Sequence, residues 1–297
     1  MRYIAKSRPR SRQDGPPISS FSFWATIAEW EKRNRRGRPP TNTRSAITCA
    51  RVRDCDAWRK FSNRNRATCC GAAASTRLGW LWISDAAPVW STRLLQETLK
   101  PGRTVGLDAS PIFLEEARSR HGAGLELKVH DITSVPFPVD SPNVLFCRFL
   151  LTHLRSLGKV LAAWEGIAAP GGWLVIHETE SLDSSHPALC LYYRLLAQLQ
   201  RHHGQTLHVG AVLDSELAGS GWRVVESQRR LLEKPAADMA ELHLANLRTW
   251  RDDEYARQAF DSDELAVLET SLERIASGRE DGGVVANAAR QIVARRG

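Results

Sequence analysis

Thr104-Val105-Gly106-Leu107-Asp108-Ala109-Ser110-Pro111 is the stretch on which the fold turns. A short apolar run ends in an acid, and a Ser-Pro pair follows at once. Such a run reads as a strand covered on both faces. Ser110 supplies an N-cap and Pro111 a first-turn residue, so the chain passes directly from strand into helix. That helix is expected to reach about Arg120, with Ile112, Leu114 and Ala117 turned inward.

The same alternation repeats on either side. Upstream, Ser91 to Lys100 places Leu94, Leu95 and Leu99 on one helical face and stops at Pro101-Gly102. Downstream, Leu125 to Val129 is a second strand ending at His130-Asp131, and Val144 to Phe149 is a third. Leu157 to Ile167 is a helix closed by Pro170-Gly171-Gly172, and Trp173 to His177 is a fourth strand ending at Glu178. Beyond residue 181, helices are predicted over Pro187–His203, Ala211–Ser220, Met239–Trp250 and Ser262–Ala276, with a strand from Trp222 to Leu231. Val284 to Arg296 satisfies either a helix or a final strand.

Apolar strands alternating with helices specify an α/β fold, a doubly wound, mostly parallel sheet, here with C-terminal helical additions. Ligands of such sheets bind outside the carboxyl ends of the strands. Asp108, Asp131, Arg148 and Glu178 therefore share one rim and are the first site candidates.

Length allows one sizeable core, or one core with a smaller subdomain. The net charge of +8 hides an asymmetry: residues 1–80 hold 18 Lys/Arg against 5 Asp/Glu, the remainder 23 against 28. Residues 1–75 show no sustained period of 3.6 or 2, apart from one amphipathic stretch, Phe21 to Lys32, and read as a basic segment that is disordered or out of frame. Residues 76–181 read as the core, and 182–297 as the C-terminal part of the fold and an acceptor-side cap. No apolar run reaches the length of a membrane span. The six cysteines have no zinc-site spacing, and the paired His202-His203 has no third ligand at metal spacing, so no metal is expected. A chain of this kind without a disulfide framework fits a cytoplasmic setting.

At this point the residues resemble class I S-adenosylmethionine-dependent methyltransferases of the small-molecule branch, with a Rossmann-like core. Thr104 to Ser110 looks like the family's second-strand motif, whose acid grips both ribose hydroxyls. His130-Asp131-Ile132 is similar to its third motif, in which the acid meets the adenine amine and the next backbone amide a ring nitrogen. Phe146-Cys147-Arg148-Phe149-Leu150-Leu151-Thr152-His153 resembles the fourth-strand segment that flanks the donor. Pro170 to Ile176 is similar to the turn into the fifth strand. The resemblance implies S-adenosyl-L-methionine as cofactor, held by Asp108, Ala109, Asp131, Ile132, Arg148, Phe149 and Trp90. It implies a small-molecule acceptor, with His177 and Glu178, and more weakly His153, assisting deprotonation.

One element of the pattern is missing. The family's first strand ends in a Gly-rich turn of the form Asp-Leu-Gly-Cys-Gly-Pro-Gly, where glycine lets the backbone approach the donor. This chain has Ile83-Ser84-Asp85-Ala86-Ala87-Pro88-Val89, without a glycine. Shifting the frame by one base restores the motif. Trp82 followed by Ile83 then reads Asp without any choice of codon, and Ile83 to Val89 reads Leu-Gly-Cys-Gly-Pro-Gly with permitted codons. The restored turn falls directly before Trp90. The expectation is a single-base insertion or deletion near Val89 that puts everything upstream out of frame.

Three functions fit these residues. The first is methyl transfer to a small molecule. The second is a catalytically impaired, methyltransferase-like protein or pseudogene product lacking the Gly-rich loop. The third is a nucleic-acid methyltransferase using the basic arm, placed last because no stacking aromatics are interleaved with a folded motif there. Tyr192-Tyr193 reads first as core and second as acceptor lining. Glu180 reads first as a solvated strand-end group and second as a base beside His177 and Glu178. Oligomeric state and acceptor identity are open at this stage.

Overall fold

The computed structural model describes residues 79–83, 96, 101–121 and 125–297. The basic segment 1–75, the amphipathic stretch Phe21–Lys32, most of the helix expected over Ser91–Lys100, the stretch from Ser84 to Val89, and Trp90 lie outside them.

Seven strands form one sheet in the order β3-β2-β1-β4-β5-β7-β6. The parallel half is β1 (Gly79–Ile83), β2 (Arg103–Asp108), β3 (Glu126–Val129), β4 (Val144–Arg148) and β5 (Trp173–Ser184). β6 (Trp222–Pro235) and β7 (Val284–Arg296) complete it, with β7 antiparallel to both of its neighbours. The ambiguous segment Val284–Arg296 is thus a strand. Strand order reverses between β1 and β4, which is where a ligand crevice forms in an open α/β sheet.

Helix α1 spans Pro111–His121 and α2 Leu157–Ile167. α3 is Pro187–His202, α4 Leu213–Ala218, α5 Ala236–Trp250, α6 Glu254–Ala259 and α7 Ser262–Ala276. The helix expected over Ala211–Ser220 is shorter, because its start is a separate 3-10 turn at Val209–Ala211. In α1 the expected inward face is partly wrong. Ile112 is 63% exposed, whereas Phe113 and Leu114 are buried. Residues 113, 114 and 117 lie along one helical stripe, and residue 112 falls outside it.

Two cores divide the labour. The first packs Leu145, Cys147, Leu174, Ile176 and Ile292 of the sheet against Val160, Leu161 and Trp164 of α2 and Leu213 and Leu217 of α4. The second joins α3, α5 and α7 through Leu189, Tyr192, Leu196, Leu247, Trp250, Leu268 and Leu272. Asp253 caps α6 and Asp261 caps α7, each accepting two backbone N–H groups. The turn into β5 needs its glycines. Gly171 has φ +67°, and a Cβ on Gly172 would lie 2.8 Å from the Ala169 carbonyl oxygen.

The last three strands outrun the parallel half. β5 continues past the level of Arg148, pairing with β7 from Trp173 to Ser184. Its register shifts between Thr179 and Ser181, and β6 pairs with β7 out to Pro235. This ribbon carries α3, which follows β5, and α5–α7, which connect β6 to β7.

Candidate active site

The tips of β2 and β3 are bonded to each other: His130 N–H donates to the Asp108 carbonyl oxygen at 2.9 Å. Asp108 ends β2 with its side chain buried, and Oδ1 accepts the Ser110 N–H at 2.7 Å. Burial raises its pKa to about 6, against the pull of that one hydrogen bond. A carboxylate so placed is short of donors and gains from any O–H presented to it. Ala109 beside it is exposed.

Asp131 hangs from the neighbouring tip and is exposed, but its oxygens serve its own turn. Oδ1 accepts from Thr133 N–H and Thr133 Oγ1, and Oδ2 from Ser134 Oγ. Desolvation works upward on its pKa, and these hydrogen bonds with His130 outweigh it and lower the pKa. The following residue, Ile132, is buried, and its carbonyl oxygen accepts the Trp164 Nε1–H at 3.1 Å. Trp164 is fully buried in α2, so that helix fixes the position of the β3 tip.

At the tip of β4 the backbone is strained. Phe149 has φ +51°, in the left-handed region that a residue with a Cβ visits at a cost. Three hydrogen bonds hold it there. Phe149 N–H donates to the His177 carbonyl oxygen at 2.9 Å, and Glu178 Oε1 accepts the N–H groups of Leu150 (2.7 Å) and Leu151 (2.9 Å). Glu178 is fully buried, and its Oε2 has no partner. Burial raises its pKa to about 8, opposed by the backbone donors and Arg148. The sequence offers Glu178 as a base; the structure commits one of its oxygens to the turn after β4. Nothing local announces this, because donor and acceptor lie 28 positions apart.

His177 shares the β4–β5 level with Arg148, its register partner. Its ring lies 5.1 Å from that of Phe149, over which Arg148 stacks at 4.8 Å. Burial, helped by Arg148 and Lys234, holds its pKa well below the ordinary histidine value. His153, in the 3-10 turn Leu151–His153, is lowered to about 4 by burial. Both are neutral at physiological pH. Glu180 pairs with Arg290 and Arg229. Tyr192 and Tyr193 are buried in the α3–α5 core, where Tyr193 Oη and His243 Nε2 are 2.9 Å apart. Among the described residues no three His, Cys, Asp or Glu side chains converge as metal ligands, and no helix is long and apolar enough to cross a membrane.

Residues 87–176 match the family described as "Methyltransferase domain". Over that stretch the chain is similar to methyltransferase domains. The domain match begins beyond β1 and leaves out Ile83 to Ala86, the first part of the stretch that stands where the Gly-rich turn is expected. No protein of curated function matches the chain. Among solved structures, YcgJ of Bacillus subtilis aligns at 13% identity over 79% of this chain and 98% of its own, with a TM-score of 0.47. The cyclopropane synthase MmaA2 of Mycobacterium tuberculosis aligns at 15% over 74% of this chain and 79% of its own, TM-score 0.46. The N-methyltransferase NodS of Bradyrhizobium japonicum, solved with S-adenosyl-L-homocysteine, aligns at 13% over 81% of this chain and 86% of its own, TM-score 0.43.

Proposed function

We propose that the chain transfers a methyl group from S-adenosyl-L-methionine to a small-molecule acceptor. The observation that carries this reading is Asp108: a buried carboxylate with one backbone donor, at the tip of the strand beside the point where strand order reverses. A vicinal diol supplies the two donors such a group lacks, so the residue fits the ribose of the cofactor. Trp164 anchors Ile132, whose backbone we assign to the adenine edge; Asp131 holds the turn that presents it. The sulfonium, when bound, supplies an already activated methyl. The protein's part is then mainly to position the donor and acceptor. Arg148, Phe149 and Trp90 belong to the donor side in this reading. His177, being neutral, orients an acceptor, and Glu178 acts by fixing the β4 turn.

A second reading is favoured by one specific observation. No glycine occurs between Gly79 and Gly102, where the donor loop belongs. The printed chain is then impaired in donor binding, with the upstream quarter out of frame and residues 1–75 outside the functional unit. Isothermal titration of the full chain with S-adenosylhomocysteine separates the two. Micromolar binding supports the active enzyme, and no binding at millimolar ligand supports the impaired form. Resequencing codons 78–92 tests the cause: an unbroken frame encoding Leu78 to Thr92 as printed removes the frameshift.

A further inference from the structure

Across four strands the sheet carries a polar row of which only the first member, Arg148, belongs to the donor side. Arg148 of β4 is the register partner of His177 on β5, His177 of Gln291 on β7, and Gln291 of Gln228 on β6. Register partners in a sheet project from the same face. Four adjacent strands therefore place Arg148, His177, Gln291 and Gln228 side by side. Their face is opposite the one on which Glu178 and its register partner Arg290 stand. Arg230, two residues along β6 from Gln228, projects from the same face as the row.

The middle of the row is buried, Arg148, Gln228 and Arg230 are half-buried, and the polar atoms are not all satisfied. His177 is 4% exposed and Gln291 3%. Gln291 Nε2 lies 3.4 Å from His177 Nδ1, so the amide donates there and the histidine proton sits on Nε2. His177 Nε2, Gln291 Oε1, Gln228 Nε2 and Arg230 Nε all lack partners. Buried polar atoms left unpaired cost about 1–3 kcal/mol each, so several in one row mark a place where something polar binds. Of these orphans, three are donors, and the guanidinium groups of Arg148 and Arg230 add positive charge. On β6 the acid of this face is Glu226, one step inward from Gln228.

We infer that this row is an acceptor subsite for a small molecule bearing a carboxylate. The inference rests on the methyl-transfer reading for the word acceptor, but not for the binding itself. A carboxylate takes several N–H donors and is favoured by the cations. An ammonium group meets the opposite: positive charge and few acceptors.

The test uses the full chain and four probes: benzoate, hexanoate, benzamide and benzylamine. With histidine labelled at its ring nitrogens, benzoate and hexanoate are expected to shift the His177 Nε2 resonance. They are expected to bind at least tenfold more tightly than benzamide or benzylamine. Gln228→Leu and Gln291→Leu should weaken benzoate at least tenfold and leave S-adenosylhomocysteine binding as in the parent. An unmoved His177 resonance at saturating benzoate overturns the subsite, as does equal affinity for benzylamine. Benzoate binding without S-adenosylhomocysteine binding keeps the subsite and sinks the enzyme reading; the converse sinks the subsite alone.

Discussion

The Glu178 side chain on β5 accepts the Leu150 backbone N–H at 2.7 Å, joining two strands at the rim of the candidate site. Its Oε1 takes the Leu151 N–H as well, and Phe149 sits beside them in a left-handed conformation. The acid is thus the internal support of the turn that follows β4.

Removing that support should cost stability. Glu178→Ala leaves two buried N–H groups without an acceptor, a loss of about 2–5 kcal/mol. Glu178→Gln keeps an oxygen for them and should stay within about 1 kcal/mol of the parent below pH 4.5, where the acid is protonated. Urea unfolding of both variants checks this; an alanine variant as stable as the parent would remove the clamp from the account.

The same residue predicts a pH dependence. Its pKa rises from 4.5 unfolded to about 8 folded, so the folded state binds the extra proton. Its burial is tolerated fully below pH 4.5, and stability falls as pH rises from there to about 8. Glu178→Gln should flatten that fall by a few kcal/mol. Equal slopes for parent and variant across this window would contradict the assignment.

Asp108→Asn should weaken S-adenosylhomocysteine by about 10- to 100-fold, the worth of hydrogen bonds to a charged group. Because diol binding favours the ionised acid, affinity in the parent should drop as pH falls through about 6. Titration calorimetry between pH 5 and 8 reads both effects. A variant that binds as the parent does would detach Asp108 from the donor.

Trp164→Phe keeps the core filled but leaves the Ile132 carbonyl without its 3.1 Å donor. We expect a loss of about 1–3 kcal/mol in thermal or urea unfolding. Donor affinity should fall with it if Ile132 edges the adenine, and a change in stability alone would separate the two roles.

Much of this was legible in the chain. The apolar runs ending in Asp108 and near Asp131, the Ser110 cap and the helices Leu157–Ile167 and Ser262–Ala276 follow from local pattern. The overhang of β5 was not, because beyond Glu178 it reads Thr179-Glu180-Ser181-Leu182-Asp183-Ser184, a mostly polar stretch without the apolar run of the other strands. Paired only through β7, it is a strand by partnership and not by composition. The Glu178 clamp and the His177–Gln291–Gln228 row depend on register between distant segments, and periodicity within one segment carries no trace of either.

The long ribbon of β5, β7 and β6 has a mechanical consequence. The helices α3 and α5–α7 are rooted in continuous strands that join the parallel half of the sheet through β5. Moving those helices relative to the parallel half therefore means flexing a hydrogen-bonded ribbon, irregular in register at Thr179–Ser181 and Val224–Glu226, and not swinging a cover about a loose connector.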